Sequence, residues 1–109
     1  PRRPASAPRR RMTQFHVHRL PGGRLVLDLQ TDLIDTGTRV VAPLIPRDHG
    51  PMALDRLEPL LQVAGIAHVL HTAEMAAVPS GLLKQPAIAD LSNQDYVIRR
   101  ALDMVFSGF

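Results

Sequence analysis

The run Phe15-His16-Val17-His18, followed by Arg19-Leu20-Pro21-Gly22-Gly23 and then by Arg24-Leu25-Val26-Leu27-Asp28-Leu29-Gln30, decides the fold. Phe15 and Val17 alternate with polar neighbours. Leu25, Leu27 and Leu29 then alternate with Val26, Asp28 and Gln30, the two-residue period of a half-buried strand. Pro-Gly-Gly between them is a strong turn signal, so the two runs predict a β-hairpin with its second strand over residues 24–32.

Working outward, Asp35-Thr36-Gly37 breaks the chain again. Thr38–Leu44 is β-branched and apolar, a central strand ended by Pro43 and Pro46. Residues 47–56 are polar with Pro and Gly, a surface loop. Leu57–Val63 carries Pro59 and is read as an edge strand, Ile66–Thr72 as another, and Pro79-Ser80-Gly81 as a turn. Residues 82–90 are short and irregular. The period then changes. Ser92 is placed to cap a helix, with Asp95 three residues on and Leu91 able to staple against Tyr96. Ile98, Ala101, Leu102, Val105 and Phe106 follow at helical spacing, and Gly108 suits the terminating position. About six strands and one C-terminal helix describe a mostly-β domain without βαβ units.

Composition narrows the functional classes. The chain has 109 residues with 13 Lys and Arg against 10 Asp and Glu, net +3. Five of those cations lie in residues 1–11, a Pro/Arg-rich stretch without acids, so the remainder carries 8 cations against 10 acids, net −2. Residues 1–11 are expected to be a disordered arm ahead of a single domain over 12–109. Met12 is a candidate initiator. The functional alternative is a basic arm that touches DNA or acidic protein. A body of net −2 is a poor phosphate neutraliser, so no direct nucleic-acid binding is expected. The absence of cysteine excludes disulfides, Cys-ligated zinc and thiol nucleophiles, and it fits a reducing cytoplasm. The longest apolar stretch, 40–46, is too short for a bilayer, so no membrane partner is expected. A core this small gains from dimerisation.

Two groups invite chemistry. His16 and His18 share a strand face, and His68 and His71 occupy another strand, but His-x-His supplies only two of the three or four ligands zinc needs. Histidines on a solvated strand face are the simpler reading, and neither a metal nor any other cofactor is expected. Asp28, Asp32 and Asp35 cluster at a strand end. They are read as strand-end and turn carboxylates pairing with Arg39 in preference to an acid/base pair, so no catalytic residue is assigned. The C-terminus is less ordinary. Met104-Val105-Phe106-Ser107-Gly108-Phe109 closes on two aromatics around a glycine, where chain ends are usually polar. These aromatics either pack into the body or are offered to a partner, and core packing of Phe106 on the apolar helix face is at least as good a reading.

Several segments in register resemble the CcdB family, toxins of toxin–antitoxin pairs. They are Gln14–Val17, Leu27–Thr36 (LDLQTDLIDT), Arg39–Leu44 (RVVAPL), Thr72–Pro79 (TAEMAAVP), Ala89–Ser92 (ADLS) and Ile98–Phe109 (IRRALDMVFSGF). The resemblance covers residues 12–109. It implies an SH3-like barrel or twisted antiparallel sheet with a small second sheet and one C-terminal helix, assembled as a homodimer. It also implies a cytoplasmic bacterial protein that binds the A subunit of DNA gyrase and traps the cleaved gyrase–DNA complex without covalent chemistry of its own. A CcdA-like antitoxin with an acidic, disordered tail would wrap it. Carried over by residue, the gyrase-contacting positions fall on Leu33, Ile34, Asp103, Phe106, Ser107, Gly108 and Phe109. The pattern departs at three of them. Ser107 stands where the best-known members carry Trp, Asp103 replaces Asn, and Phe109 replaces Ile. Two other readings follow: a divergent module that binds its antitoxin without poisoning gyrase, and a ribonuclease like the related MazF-type toxins.

Overall fold

The computed structural model describes residues 13–49 and 55–108. The expected arm over 1–11, Met12 and the terminal Phe109 lie outside the described residues. Seven strands form one antiparallel, barrel-like sheet: β1 (His16–Arg19), β2 (Leu25–Asp28), β3 (Thr38–Pro46), β4 (Leu60–Val63), β5 (Ile66–Leu70), β6 (Ala76–Pro79) and β7 (Ala89–Asp90). The path runs β4-β5-β3-β2-β1-β7, and β6 is a side branch on β3. One helix, α1 (Asp95–Ser107), ends the chain. The hairpin at residues 16–28 is formed, with Val17 opposite Leu27, and the expected edge strand is β4.

The long strand β3 organises the sheet by changing partners. Its first half, Thr38–Val41, pairs with β6, and its second half, Leu44–Pro46, pairs with β5. The sequence expectation that Pro43 ends this strand is therefore corrected: β3 runs through Pro43 to Pro46. Pro43 sits at the changeover, opposite Val26 of β2. Its carbonyl accepts from the His71 N–H at 2.9 Å, on the side away from β2. A residue's nitrogen and carbonyl point the same way in a strand, so the nitrogen that lacks a proton also faces His71, whose carbonyl accepts from the Glu74 N–H instead. The branch strand β6 gives no signal in its own sequence, because Ala76-Ala77-Val78-Pro79 has little intrinsic strand preference.

The core lies between the sheet and α1. Phe15, Val17, Leu27, Leu29, Leu44, Leu61, Leu70 and Ile98 are buried together. Two expectations for the hairpin change. Phe15 does not start the strand. It adopts φ +67°, a left-handed conformation that costs a bulky residue about 1–2 kcal/mol. Its ring is held in the core beneath the Arg99 guanidinium, 5.1 Å from the ring centre. Strand β2 stops at Asp28 instead of Asp32, and it is buried on both faces, since Val26 and Asp28 are as inaccessible as Leu27. The β4–β5 turn puts Ala64 and Gly65 at φ +50° and +82°, a type I′ geometry matched to strand twist.

The helix start also differs. Ser92–Gln94 forms a 3-10 turn, and both the N–H and the hydroxyl of Ser92 donate to Asp90. The capping box of Ser92 with Asp95 is not made, and α1 begins at Asp95 without a side-chain cap. Leu91 enters the core instead of stapling Tyr96, which is exposed against Arg100. The expected terminator is in place: Gly108 has φ +81°, and its N–H donates to the Met104 carbonyl at 3.0 Å.

Candidate interaction surface

The segment from 29 to 37 leaves β2, exposes two large apolar side chains, and returns as β3. Gln30 ties its ends together. The Gln30 side-chain oxygen accepts from the Val40 N–H at 3.1 Å, and its Nε2 donates to the Ile34 carbonyl at 3.0 Å. Local turns complete the loop: the Leu33 N–H donates to the Thr31 hydroxyl, and the Gly37 N–H to the Asp35 carboxylate. The result holds Leu33 87% and Ile34 51% exposed.

Beneath this loop lies the acidic cluster. Asp28 is fully buried and Asp32 nearly so. Arg39 lies across both. Its Nε donates to Asp28 Oδ2 at 3.0 Å, and one terminal nitrogen reaches Asp28 Oδ1 at 3.0 Å, the Gln30 carbonyl at 2.7 Å and Asp32 Oδ1 at 3.3 Å. The Thr13 hydroxyl sits between the two carboxylates, and the N–H groups of Thr13 and Gln14 donate to Asp32. Burial pushes the Asp32 carboxyl up. The Thr13 and Gln14 donors and Arg39 together outweigh that and hold it below the ordinary value of 3.8. The pairing with Arg39 read from the sequence is observed. β2 ends at Asp28, so Asp32 reaches Arg39 from the loop that follows the strand.

At the other end of the chain, burial fades along α1. Ile98 and Ala101 are inaccessible, Leu102 and Val105 half-buried, and Phe106 is 73% exposed. Core packing of Phe106 is therefore not what the fold provides. Asp103, Ser107 and Gly108 are exposed beside it. Leu33, Ile34 and Phe106 thus stand in solvent as large apolar side chains, as do Leu60, Ile66, Leu82 and Ile88 elsewhere on the domain. Sequence reading missed Gln30, whose amide pins the loop. Its only signal was its place where the β2 alternation runs out.

The histidines are not on a solvated face as expected. His18, His68 and His71 are buried. An open groove of about 660 Å³ passes His18, lined also by Thr13, His16, Ser80, Lys84 and Gln85. Burial lowers the His18 pKa below 6.5, with the nearby Asp28 carboxylate opposing. His16 pairs with Asp90 at 3.5 Å, and the Ser92 hydroxyl and N–H hold Asp90 below 3.8. Because the unfolded His18 binds a proton at a higher pH than the folded one, its contribution leaves stability intact above pH 6.5 and removes it as pH falls toward the folded value. The NMR titration of the His18 ring should accordingly fall below 6.5. A midpoint at or above 6.5 would contradict its burial.

Among the described residues, no helix is long and apolar enough to cross a membrane. A family model described as CcdB protein matches residues 14–108. No curated protein matches the chain.

Proposed function

The chain belongs to the CcdB family, and from that membership we propose that it is the toxin of a toxin–antitoxin pair that, as a homodimer, binds the A subunit of DNA gyrase and traps the cleaved gyrase–DNA complex. The observation that carries the reading is the exposure of Leu33, Ile34 and Phe106. These are three of the seven positions carried over from the family's gyrase-contacting set. Large apolar side chains left in solvent at those places suit a partner surface. Asp103, Ser107, Gly108 and Phe109 complete the proposed contact. A CcdA-like antitoxin would compete for the protein and release gyrase. The action is cytoplasmic, and the DNA is held by gyrase.

An enzymatic reading has less support. Asp28 and Asp32 are the buried acids that a MazF-like ribonuclease could use, and both are engaged by Arg39 and Thr13. A general base needs a free lone pair within reach of substrate. A second reading is favoured by Ser107 and Asp103. Serine removes the family's indole anchor, and aspartate adds charge where a neutral amide stands, so the chain can be a module that binds its antitoxin and leaves gyrase alone.

Inducible expression of the full chain in a gyrase-sensitive bacterium separates the two. The toxin reading expects growth arrest and, with purified protein and gyrase, accumulation of linearised plasmid. Normal growth together with tight antitoxin binding selects the second reading.

A further inference from the structure

We propose that Gln30 is a positioning residue, whose side-chain amide holds the Leu33–Ile34 loop in its binding shape before any partner arrives. For the identity of that partner the inference rests on the gyrase reading above. The register of β2 on β3 carries the argument. Asp28, the last residue of β2, stands opposite Val41. One step further the ladder is only half made. The Leu29 N–H donates to the Val40 carbonyl at 2.8 Å. The Val40 N–H points to the same side, but it donates to Gln30 Oε1 at 3.1 Å, and the Leu29 carbonyl accepts from Gln14 Nε2 at 3.1 Å. The Gln30 side chain therefore takes the place of a main-chain rung, and the main chain is released from the sheet at that point.

The other end of the same amide sets where the loop goes. Nε2 donates to the Ile34 carbonyl at 3.0 Å. The Gln30 backbone is fixed as well: its N–H donates to Asp28 Oδ1 at 3.2 Å, and its carbonyl accepts from Arg39 at 2.7 Å. Oε1 and Nε2 belong to one planar group, so seating the oxygen on β3 aims the nitrogen at the loop. The flanks of the loop are held separately. Asp32 is bound by Arg39 and by the N–H groups of Thr13 and Gln14, and the Gly37 carbonyl accepts from the N–H and the hydroxyl of Ser80. Between these anchors stand Leu33 and Ile34, both exposed. A loose tip would turn such side chains in against the body, because that removes apolar surface from water. A tether on the Ile34 carbonyl opposes this through the main chain and leaves both side chains to the partner. Order already present in the free protein is not lost again on binding, and it acts chiefly by slowing dissociation.

The test is Q30E in the full chain. This variant keeps the shape of the side chain and an acceptor for the Val40 N–H. It replaces the donor that faces the Ile34 carbonyl with an oxygen, so two acceptors meet and the tether opens. Backbone NMR relaxation should show the order parameters of Leu33–Asp35 falling from the rigid range near about 0.85 to below about 0.6, with β3 unchanged. The urea midpoint should stay close to the parent's. Dissociation from the purified gyrase A subunit should become roughly tenfold faster, because the loop must be ordered anew on binding. A purely structural role gives the reverse pattern, a lowered midpoint with loop order and dissociation unchanged. Q30A, which also strands the Val40 N–H, should show the loop effect and a lowered midpoint together. Loop order in Q30E equal to the parent's overturns the proposal, and so does a loosened loop with unchanged dissociation from gyrase. A parent chain that does not bind gyrase removes the proposed function instead, and the order parameters alone then decide whether Gln30 holds the loop.

Discussion

Replacing Arg39 with alanine is expected to cost about 3–5 kcal/mol of stability, because it leaves two buried carboxylates without their cation. Few single changes are as costly, since a domain of this size has only about 5–15 kcal/mol in total. Asp28 is wholly inaccessible, and its oxygens face Arg39 at 3.0 Å. Urea unfolding should show the midpoint falling steeply. Arg39→Lys should recover part of the loss but not all, because an ammonium cannot reproduce the two-pronged contact to Asp28 with a further bond to the Gln30 carbonyl. A midpoint for Arg39→Ala equal to the parent would mean that the two aspartates are protonated or solvated, against their burial.

Acid acts on the same cluster. The folded Asp32 pKa lies below its unfolded value of 3.8. Its share of stability is therefore complete above pH 3.8 and lost as pH falls through the folded value. The cluster also reaches the proposed contact surface. Arg39 bonds the Gln30 carbonyl while the Gln30 amide bonds the Ile34 carbonyl. Loss of the guanidinium should loosen the loop before the whole domain melts, and toxicity should fall in step with it.

The hairpin, the edge character of β4 and the Gly108 terminator were legible because each rests on local rules: alternation, turn residues, and a residue free to adopt positive φ. What was illegible depends on distant partners. Nothing in Ala76–Pro79 declares a strand until β3 offers it an edge. Pro43 reads as a stop until it is seen facing the place where β3 exchanges β6 for β5. Val26 and Asp28 read as a solvated face until Arg39, eleven residues away, covers one and the sheet packs the other. The contact surface was named through resemblance alone. Sequence periodicity pointed the other way for Phe106, since it continues the helical stripe of Ile98 and Leu102, but burial fades toward the end of α1 and leaves that side chain in solvent.

Phe106→Ala should abolish gyrase poisoning while leaving the fold almost unchanged. A side chain that is 73% exposed contributes little to folding, so the stability change should stay within about 0.5 kcal/mol. An aromatic anchor at the centre of an interface is worth about 2 kcal/mol or more on truncation, which is roughly a 30-fold loss of affinity. Surface binding of the purified variant to the gyrase A subunit measures the second quantity, and urea unfolding the first. The reciprocal change is Ser107→Trp. Ser107 is the exposed last residue of α1, so an indole there meets no steric obstacle from the core and restores the large anchor that family members carry. It should tighten gyrase binding by a comparable factor. If Phe106 serves the homodimer alone, Phe106→Ala will shift the sedimentation toward monomer while the residual dimer poisons gyrase normally. If the chain binds only its antitoxin, Phe106→Ala and the parent will be equally harmless, and Ser107→Trp alone will arrest growth. Full toxicity in Phe106→Ala with an intact dimer would remove this end of α1 from the contact.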